Sequence, residues 1–245
     1  VTSQIMKDLS TQQLTLASSD YDLRITNLAR FVYKLLPIKK GALIDIGAGN
    51  GLILKFFKLK GFEVSGVELE KDQVHQMQID YKLQGVKVVQ GDITKLKGDE
   101  KFDVVIASDV IEHIENDESA LKNLYSFVRQ GGYLVITVPA HMHLYGKRDK
   151  KWGHYRRYDK QELVRKLQSL EGGKVESVRF WNVLGYFAYF FFEKIMNQPI
   201  KEEFRYKQTL LSKLIRGVLD LILKLEELIG GPPIGLTLVA IVKKT

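Results

Sequence analysis

The sequence has 245 residues, 45% of them hydrophobic and 27% charged, which is typical of a globular protein with a sizeable core. The absence of cysteine excludes disulfide bonds, thiolate metal sites, iron–sulfur clusters and cysteine nucleophiles. The net charge of +8 favours anionic partners, but a solvated lysine-rich surface explains it equally well. Neither a signal peptide nor an apolar run of about 20 residues is visible, so we expect a cytoplasmic protein.

Short apolar runs alternate with amphipathic stretches along the chain, and this pattern indicates an α/β fold with a parallel sheet and crossover helices. We predict strands at residues 42–46, 62–67, 86–89, 102–107, 133–138, 174–181 and 236–243. Helices are predicted at 52–59, 70–84 and 117–129, and Asp159 is expected to cap a further helix that carries Leu163, Leu167 and Leu170. The last strand comes late in the chain, so we expect it to enter the sheet antiparallel.

The chain divides into three parts. Residues 1–37 are predicted to be an N-terminal helical segment with Leu23, Leu28, Val32 and Leu35 in a rough stripe. Residues 38–183 and 234–245 form the predicted core domain, and residues 184–233 form a helical insertion between the last two strands.

The insertion contains an aromatic run, 186–192, and then an amphipathic helix. The apolar positions of that helix recur at three and four residues: Leu211, Leu214, Ile215, Val218, Leu221, Ile222, Leu225 and Leu228. One interpretation is a cap that packs on the sheet. The alternative is an apolar lid over a lipophilic substrate, or a surface that rests peripherally on the inner face of a membrane.

The segment Asp45-Ile46-Gly47-Ala48-Gly49-Asn50-Gly51 lies where a strand gives way to a helix. Glycines at such a turn bring backbone N–H groups close to a ligand. A glycine-rich turn also occurs in dinucleotide sites, but Leu52 stands where their third glycine is expected. The Asp45 carboxylate would repel a pyrophosphate and attract a sulfonium or an ammonium group.

Three further acids follow the next three strands: Glu68, Asp92 and Asp109. Together with Asp45 they converge on one crevice at the carboxyl ends of the strands, where open α/β sheets bind ligands. A carboxylate after the second strand can accept both hydroxyls of a ribose, and Asp92 can accept from an adenine amine. Any one of these acids has a simpler explanation as a helix cap, but the four in this order do not.

This series of residues resembles the class I S-adenosylmethionine-dependent methyltransferase family, a Rossmann-like family, most closely over residues 41–139. The resemblance implies a seven-stranded sheet of order 3-2-1-4-5-7-6 with the last strand antiparallel. It implies S-adenosylmethionine as the cofactor, with Gly47 and Gly49 beside its methionine part, Glu68 on the ribose and Ile93 against the adenine. The cofactor-binding residues that it assigns are Asp45, Gly47, Ala48, Gly49, Gly51, Glu68, Leu69, Asp92, Ile93, Ser108 and Asp109.

Methyl transfer to oxygen requires a base more than transfer to nitrogen does, and the candidate catalytic residues are His113, His141, His143 and His154. The exit of the fifth strand lines the acceptor side in this family, which favours His141 or His143. The pair Glu112-His113 resembles the Glu-His of ubiquinone-pathway O-methyltransferases, where a divalent metal can assist. A histidine satisfied by its helix-start neighbours explains the pair equally well, and no metal site is predicted.

The candidate acceptor-binding residues lie in a polar loop: Tyr145, Tyr155, Arg156, Arg157 and Tyr158. The two arginines can clamp a phosphate or carboxylate of the acceptor. Alternatively, they pin the loop to nearby carboxylates. Arg24, with Tyr21 upstream, could reach the cofactor carboxylate.

The absence of two sequence features narrows the range of candidate methyl acceptors. Cytosine C5 methylation generally needs a cysteine, and methylation of base amines usually shows an Asn/Asp-Pro-Pro-aromatic run that residues 109–112 lack. We therefore expect a small-molecule, sugar or lipid-linked acceptor, with oxygen slightly favoured over nitrogen, and no nucleic-acid partner. An RNA methyltransferase and a non-catalytic module that binds the cofactor or docks to a membrane are the alternatives.

Overall fold

The computed structural model describes residues 22–96, 100–198 and 209–245. The part of the predicted N-terminal segment up to residue 21, including Tyr21, lies outside these ranges. Helix α1 (Leu23–Leu35) carries the rest, and its stripe packs as expected because Leu23, Leu28 and Val32 are buried. Asp22 begins the helix by accepting a hydrogen bond from the N–H of Ile25 at 3.0 Å.

The described residues form a seven-stranded sheet in the predicted order β3-β2-β1-β4-β5-β7-β6. The strands are β1 (Ala42–Ile46), β2 (Glu63–Glu68), β3 (Lys87–Gln90), β4 (Phe102–Ser108), β5 (Val128–Pro139), β6 (Gly173–Trp181) and β7 (Thr237–Lys244). Strand β7 runs antiparallel to both neighbours, and the other pairs are parallel. The predicted sheet is therefore confirmed. Strands β4, β5 and β6 all end at the edge where β1 gives way to the glycine-rich turn.

The other described α-helices lie between the strands: α2 (Leu52–Leu59), α3 (Lys71–Ile79), α4 (Asp117–Ser126), α5 (Lys147–Lys151), α6 (Lys160–Gln168), α7 (Val183–Tyr189) and α8 (Leu210–Leu228). A π-helical turn, Phe190–Ile195, directly follows α7.

The helix predicted over 70–84 is shorter in the structure. It ends at Ile79, and a 3₁₀ turn at Tyr81–Leu83 follows. Asp80 accounts for the break, because its side chain accepts from the N–H of Lys82 at 2.8 Å and also pairs with Lys55. Such a local bond competes with the helical ladder.

The helix predicted over 117–129 also ends early, at Ser126. Val128 already pairs with Phe102 of β4, so β5 starts five residues before the predicted Tyr133. Gly132 lies against the β4 backbone, where a Cβ would stand 3.0 Å from two carbonyl oxygens. Packing against β4 therefore decides where β5 begins. The pair Gly131-Gly132 lies within the strand and does not mark its start.

Alternate residues of β4 face two different layers of helices. Val104 and Ile106 pack in one cluster with residues of α1 and α2, whereas Val105 and Ala107 pack in another with residues of α4 and α6. The period of two along a strand produces this division.

The predicted helix cap at Asp159 is wrong. Asp159 precedes α6, but its side chain makes no capping hydrogen bond to the helix. Its carboxylate accepts instead from the N–H of Met142 at 3.3 Å.

Helix α8 lies with its apolar stripe outward, which differs from the predicted cap packed by that stripe. Leu214, Val218, Leu221, Leu225 and Leu228 are each more than half exposed. Among the described side chains of the helix, the buried ones are Leu223, which joins the α1 cluster, and the acids Glu226 and Glu227. The position of Leu211 in the stripe lies outside the described side chains. In the described residues, no helix combines the length and apolarity that crossing a bilayer requires.

Candidate active site

The glycine-rich turn folds back onto the end of β2. The N–H groups of Gly47 and Ala48 both donate to the carbonyl of Val67, at 2.8 and 3.0 Å. Gly47 has φ +81°, and a Cβ there would stand 2.4 Å from Cγ2 of Val110. Only glycine fits that position, because both the backbone conformation and the space reject a side chain. Ala48 is buried, and Gly51 begins α2 with φ +73°.

Asp45 is fully buried on β1, and neither of its carboxyl oxygens has a hydrogen-bond partner in the structure. Burial, together with the charge of Glu68, raises the pKa of Asp45 to about 8. An unpaired buried carboxyl costs free energy. Its place directly before the turn therefore suits a cationic ligand that would pair with it.

Glu68 ties two loops together. Its Oε2 accepts from the N–H of Gly49 at 2.7 Å, and its Oε1 accepts from the N–H groups of Leu69 and Glu70 at 2.7 and 3.0 Å. A carboxylate offers about four acceptor positions, so one remains for a ribose hydroxyl. Leu69 is 55% exposed beside it, where an apolar side chain can lie against a ligand ring.

The two residues predicted to contact the adenine, Asp92 and Ile93, differ in their exposure. Asp92 is partly exposed and accepts from both the N–H and the hydroxyl of Thr94, at 2.9 and 2.7 Å. Those bonds outweigh the partial burial and lower the pKa of Asp92. Ile93 is buried in the core cluster, so only part of its surface could meet an adenine.

Arg24 bridges the ends of two strands. Its Nη1 lies 2.7 Å from Oδ2 of Asp109, which follows β4, and its Nη2 lies 3.5 Å from the hydroxyl of Thr237, which begins β7. Asp109 has φ +53°, and its Oδ1 is buried without a partner. The Ser108 hydroxyl bonds that of Thr137 at 2.8 Å. Helix α1 thus lies over the crevice, and the structure pairs Arg24 with a predicted cofactor residue.

Glu112, His113 and His154 come together beyond β4, with one ligand atom from each within 4.8 Å of the others. Glu112 is fully buried and neither carboxyl oxygen has a partner, so burial and the Asp109 charge raise its pKa well above the usual range. The His113 and His154 rings meet edge to face at 4.6 Å. Loss of hydration and the His154 charge lower the pKa of His113. Two imidazoles and an unpaired carboxylate fit a divalent cation, although the sequence predicted no metal site.

Asp149 is a buried hub that the sequence analysis did not identify. Arg157 donates to it at 2.8 Å, the Tyr189 hydroxyl at 3.1 Å and the N–H of Gly146 at 2.9 Å, and Nδ1 of His154 lies at 3.1 Å. Burial alone would raise the pKa of Asp149, but these donors lower it to about 2. Arg157 is 4% exposed and also lies 4.2 Å from the Tyr189 ring centre. The structure therefore favours the alternative in which Arg157 pins the loop, because it is too buried to clamp an acceptor.

Three of the other predicted acceptor residues are also bonded within the protein. Tyr158 is fully buried, and its hydroxyl donates to Asp117 at 2.8 Å. Arg156 pairs with the same carboxylate at 3.0 Å. The Tyr145 hydroxyl donates to the carbonyl of His154 at 2.8 Å. Tyr155, which is 52% exposed, is the member of the set whose side chain is most open to an acceptor.

His141 lies in an aromatic cluster at the ends of β5 and β6. Its ring stacks on Phe180 with a 5.0 Å centroid distance and a 7° interplanar angle, and it meets the Tyr186 ring at 4.9 Å. Its Nε2 is buried without a partner. Loss of hydration and the nearby His143 charge lower the pKa of His141, so the ring is neutral at pH 7. A neutral ring with a free nitrogen can accept a proton.

The predicted histidines therefore fall into two groups, His113 with His154 and His141 with His143. Sequence reasoning missed Phe180 and Tyr186, whose aromatic neighbours looked like ordinary core or cap residues. The available signal was that Phe180 is followed within two residues by the end of its strand, at the same edge as His141.

Comparison with known proteins shows the family of this chain. A family model described as a methyltransferase domain matches residues 21–172, more than half of the chain. The chain belongs to this methyltransferase family. The predicted family, fold and S-adenosylmethionine cofactor are thereby confirmed.

Two curated relatives are similar in sequence to part of this chain. The ubiquinone biosynthesis O-methyltransferase of Rickettsia conorii is 31% identical over 134 residues, which cover 52% of this chain and 46% of the relative. The enzyme of the same name from Rickettsia prowazekii is 33% identical over 102 residues, covering 41% and 40%. The chain thus spans less than half the length of these relatives.

Solved methyltransferases share the fold over about nine-tenths of the chain. An S-adenosylmethionine-dependent methyltransferase from Mesorhizobium loti superposes with a TM-score of 0.61 at 13% identity, covering 89% of this chain and 97% of that one. The N-methyltransferase NodS from Bradyrhizobium japonicum, solved with S-adenosyl-L-homocysteine, gives a TM-score of 0.58 at 12% identity, with coverages of 92% and 89%.

Proposed function

We propose that this protein transfers a methyl group from S-adenosylmethionine to a small-molecule, sugar or lipid-linked acceptor, with oxygen as the favoured target atom. The observation that carries the proposal is the buried, unpaired Asp45 carboxyl directly before a turn that only glycine can form at Gly47. A cationic methyl donor would stabilise the ionised form of that buried carboxyl, whereas a pyrophosphate would not.

The neighbouring residues supply the rest of the cofactor site. Gly49 and Gly51 keep the turn open beside Asp45, and Glu68 holds the turn through the Gly49 N–H while keeping an acceptor position for a ribose. Leu69 and Asp92 lie on the side where the purine would stack and donate. When bound, the cofactor supplies a methyl group already activated as a sulfonium.

His141 is the base in this proposal. The acceptor hydroxyl oxygen forms the new bond to the methyl carbon while the carbon–sulfur bond breaks, and the hydroxyl proton passes to Nε2 of His141. Phe180 and Tyr186 hold the ring in place and exclude water from it. Alignment of the reacting groups accounts for the remaining catalysis. His113, His143 and His154 stay as alternatives for this role.

A second arrangement is a cation site formed by Glu112, His113 and His154. A divalent cation there would polarise the acceptor oxygen and lower the pKa of its hydroxyl. The unpaired oxygens of Glu112 support this second arrangement.

The curated relatives are named for O-methylation in ubiquinone biosynthesis, which supports a small-molecule acceptor and gives no support to RNA. The exposed rings of Phe187 and Phe190 lie beside Tyr186, which contacts His141. Their exposure supports a lipid-linked acceptor and peripheral contact of the insertion with a membrane.

Isothermal titration with S-adenosylmethionine, S-adenosylhomocysteine and NAD tests the cofactor proposal. We expect micromolar binding of the first two ligands and none of NAD. Gly47→Ala should abolish the binding, because its Cβ would clash with Val110. Gly61→Ala is the matched control, since Gly61 also has a positive φ but faces open space. Unchanged affinity in Gly47→Ala would contradict the site assignment, and circular dichroism would verify that both variants fold.

A further inference from the structure

We propose that the outward face of α8 is a docking surface for a bilayer of anionic lipids. This inference rests on the membrane contact proposed for the insertion and does not depend on methyl transfer. The docking face consists of the exposed apolar residues of the helix: Leu214, Ile215, Val218, Leu221, Leu225 and Leu228.

The amphipathic pattern of α8 is inverted with respect to the protein. Its apolar side faces solvent, with Leu228 72% and Leu214 62% exposed, whereas its polar side faces α1. A helix that packs on a core normally turns the opposite way. So large an apolar stripe in solvent marks an interaction surface.

Polar contacts hold the helix in this orientation. Arg30 of α1 donates to Glu227 at 2.6 Å, and Asn27 donates to Asp220 at 3.0 Å. Glu226 accepts from the N–H groups of Asn182 and Val183, at 2.7 and 2.9 Å. These contacts involve the buried side of α8, so turning the apolar stripe inward would break every one of them.

The charged side chains around the docking face indicate what kind of partner it binds. In the described ranges 183–198 and 209–229, each of the four acids is bound to the protein: Glu193 pairs with Arg148 and the other three make the contacts with α1 and the start of α7. The cations Lys194, Lys213 and Lys224 are exposed, although Lys194 also donates to the carbonyl of Tyr145 and Lys224 pairs with Asp220, both at 2.7 Å. Apolar side chains with lysines beside them fit an anionic bilayer, in which the apolar groups enter the interface and the lysines meet lipid phosphates.

A second copy of the chain fits the same face less well. An isologous dimer would bring Lys213 and Lys224 of one copy toward those of the other, and like charges repel at close range. The exposed aromatic residues Phe187, Phe191 and Phe192 of the neighbouring segment also suit an interface between water and lipid.

Co-sedimentation of the full chain with vesicles, without cofactor or acceptor, tests the proposal. We expect binding to phosphatidylglycerol-containing vesicles and much weaker binding to pure phosphatidylcholine. The double variant Leu221→Glu/Leu225→Glu should lower the partition coefficient at least about tenfold, because two apolar anchors are lost. Lys213→Gln and Lys224→Gln should each lower it about fivefold.

Leu59→Glu is the matched control, since Leu59 is 87% exposed at the end of α2, far along the chain from the insertion. It should bind vesicles as the unmodified protein does. Absent vesicle binding, an equal loss in Leu59→Glu, or a dimer in sedimentation velocity that only the α8 variant abolishes, would each overturn the proposal. Titration of the α8 variant with S-adenosylmethionine keeps this outcome separate from the proposed methyl transfer.

Discussion

At the scale of single residues, the proposed site contains groups that the fold leaves without partners. Both carboxyl oxygens of Asp45, one of Asp109 and the Nε2 of His141 are buried and unbonded. Buried polar groups are nearly always paired in native proteins, so such exceptions indicate positions reserved for a ligand or a proton. They lie at the ends of three neighbouring strands of the sheet, β1, β4 and β5.

The stability of the free protein should fall as the pH rises from about 6.5 to 8. Asp45 has a folded pKa of about 8 but an ordinary pKa in the unfolded chain, so the folded state holds an extra proton in that window. The slope from this residue is at most about 1.4 kcal/mol per pH unit. Asp45→Asn should reduce the slope, measured by urea unfolding at several pH values, and Glu112 would supply the remainder because its pKa is raised as well.

Asp92→Asn is the control for that experiment, since the pKa of Asp92 is lowered and not raised. An identical slope in the unmodified protein and in Asp45→Asn would show that Asp45 is ionised when the site is empty.

His141→Asn should lower kcat about 10²- to 10⁴-fold and leave the affinity for S-adenosylmethionine unchanged, because the base is lost but the cofactor site is not. Asparagine tolerates the positive φ at this position, so the variant is expected to fold. His75→Asn, on the exposed face of α3, should keep full activity. A residual pH dependence of kcat like that of the unmodified protein would move the role of base to His113, His143 or His154.

At the scale of elements, sequence pattern predicted which segments form helices and strands better than it predicted how they are oriented. The limits of β1 and α2 were correct because the glycine-rich turn between them is local information. The outward stripe of α8 could not be predicted, because periodicity shows that a helix has an apolar side but not which side meets the protein. That depended on partners far along the chain, such as Arg30.

Glu226 should be the residue on which the position of α8 depends most. Glu226→Ala leaves two N–H groups, of Asn182 and Val183, without their acceptor, which costs about 1–3 kcal/mol for each group that stays buried. We expect faster proteolytic cleavage within the insertion and a smaller effect on the core domain, measured by limited proteolysis followed by mass spectrometry. Glu118→Ala, on the exposed side of α4, is the control. Equal cleavage rates in both variants would contradict this role.

At the scale of the whole molecule, the sequence predicted the sheet order, but not the tertiary contacts made by the predicted acceptor residues. Asp45, Glu68, Asp92 and Asp109 follow successive strands, so the topology alone brings them together. The contacts of His141 with Phe180 and Tyr186 join three separate segments. The ion pair between the buried Arg157 and Asp149 also depends on tertiary packing. No local sequence pattern could therefore show that this arginine faces inward.

In the described part of the chain, three strands are followed within two residues by a non-glycine residue with a positive φ. Asp109 follows β4, His141 follows β5 within two residues, and Asn182 follows β6, with φ of +53°, +66° and +66°. Such conformations each cost about 1–3 kcal/mol for non-glycine residues. Glycine at Asp109 or His141 would relieve that strain. At this rim, heat resistance and the roles proposed for the two side chains therefore make opposite demands on the sequence.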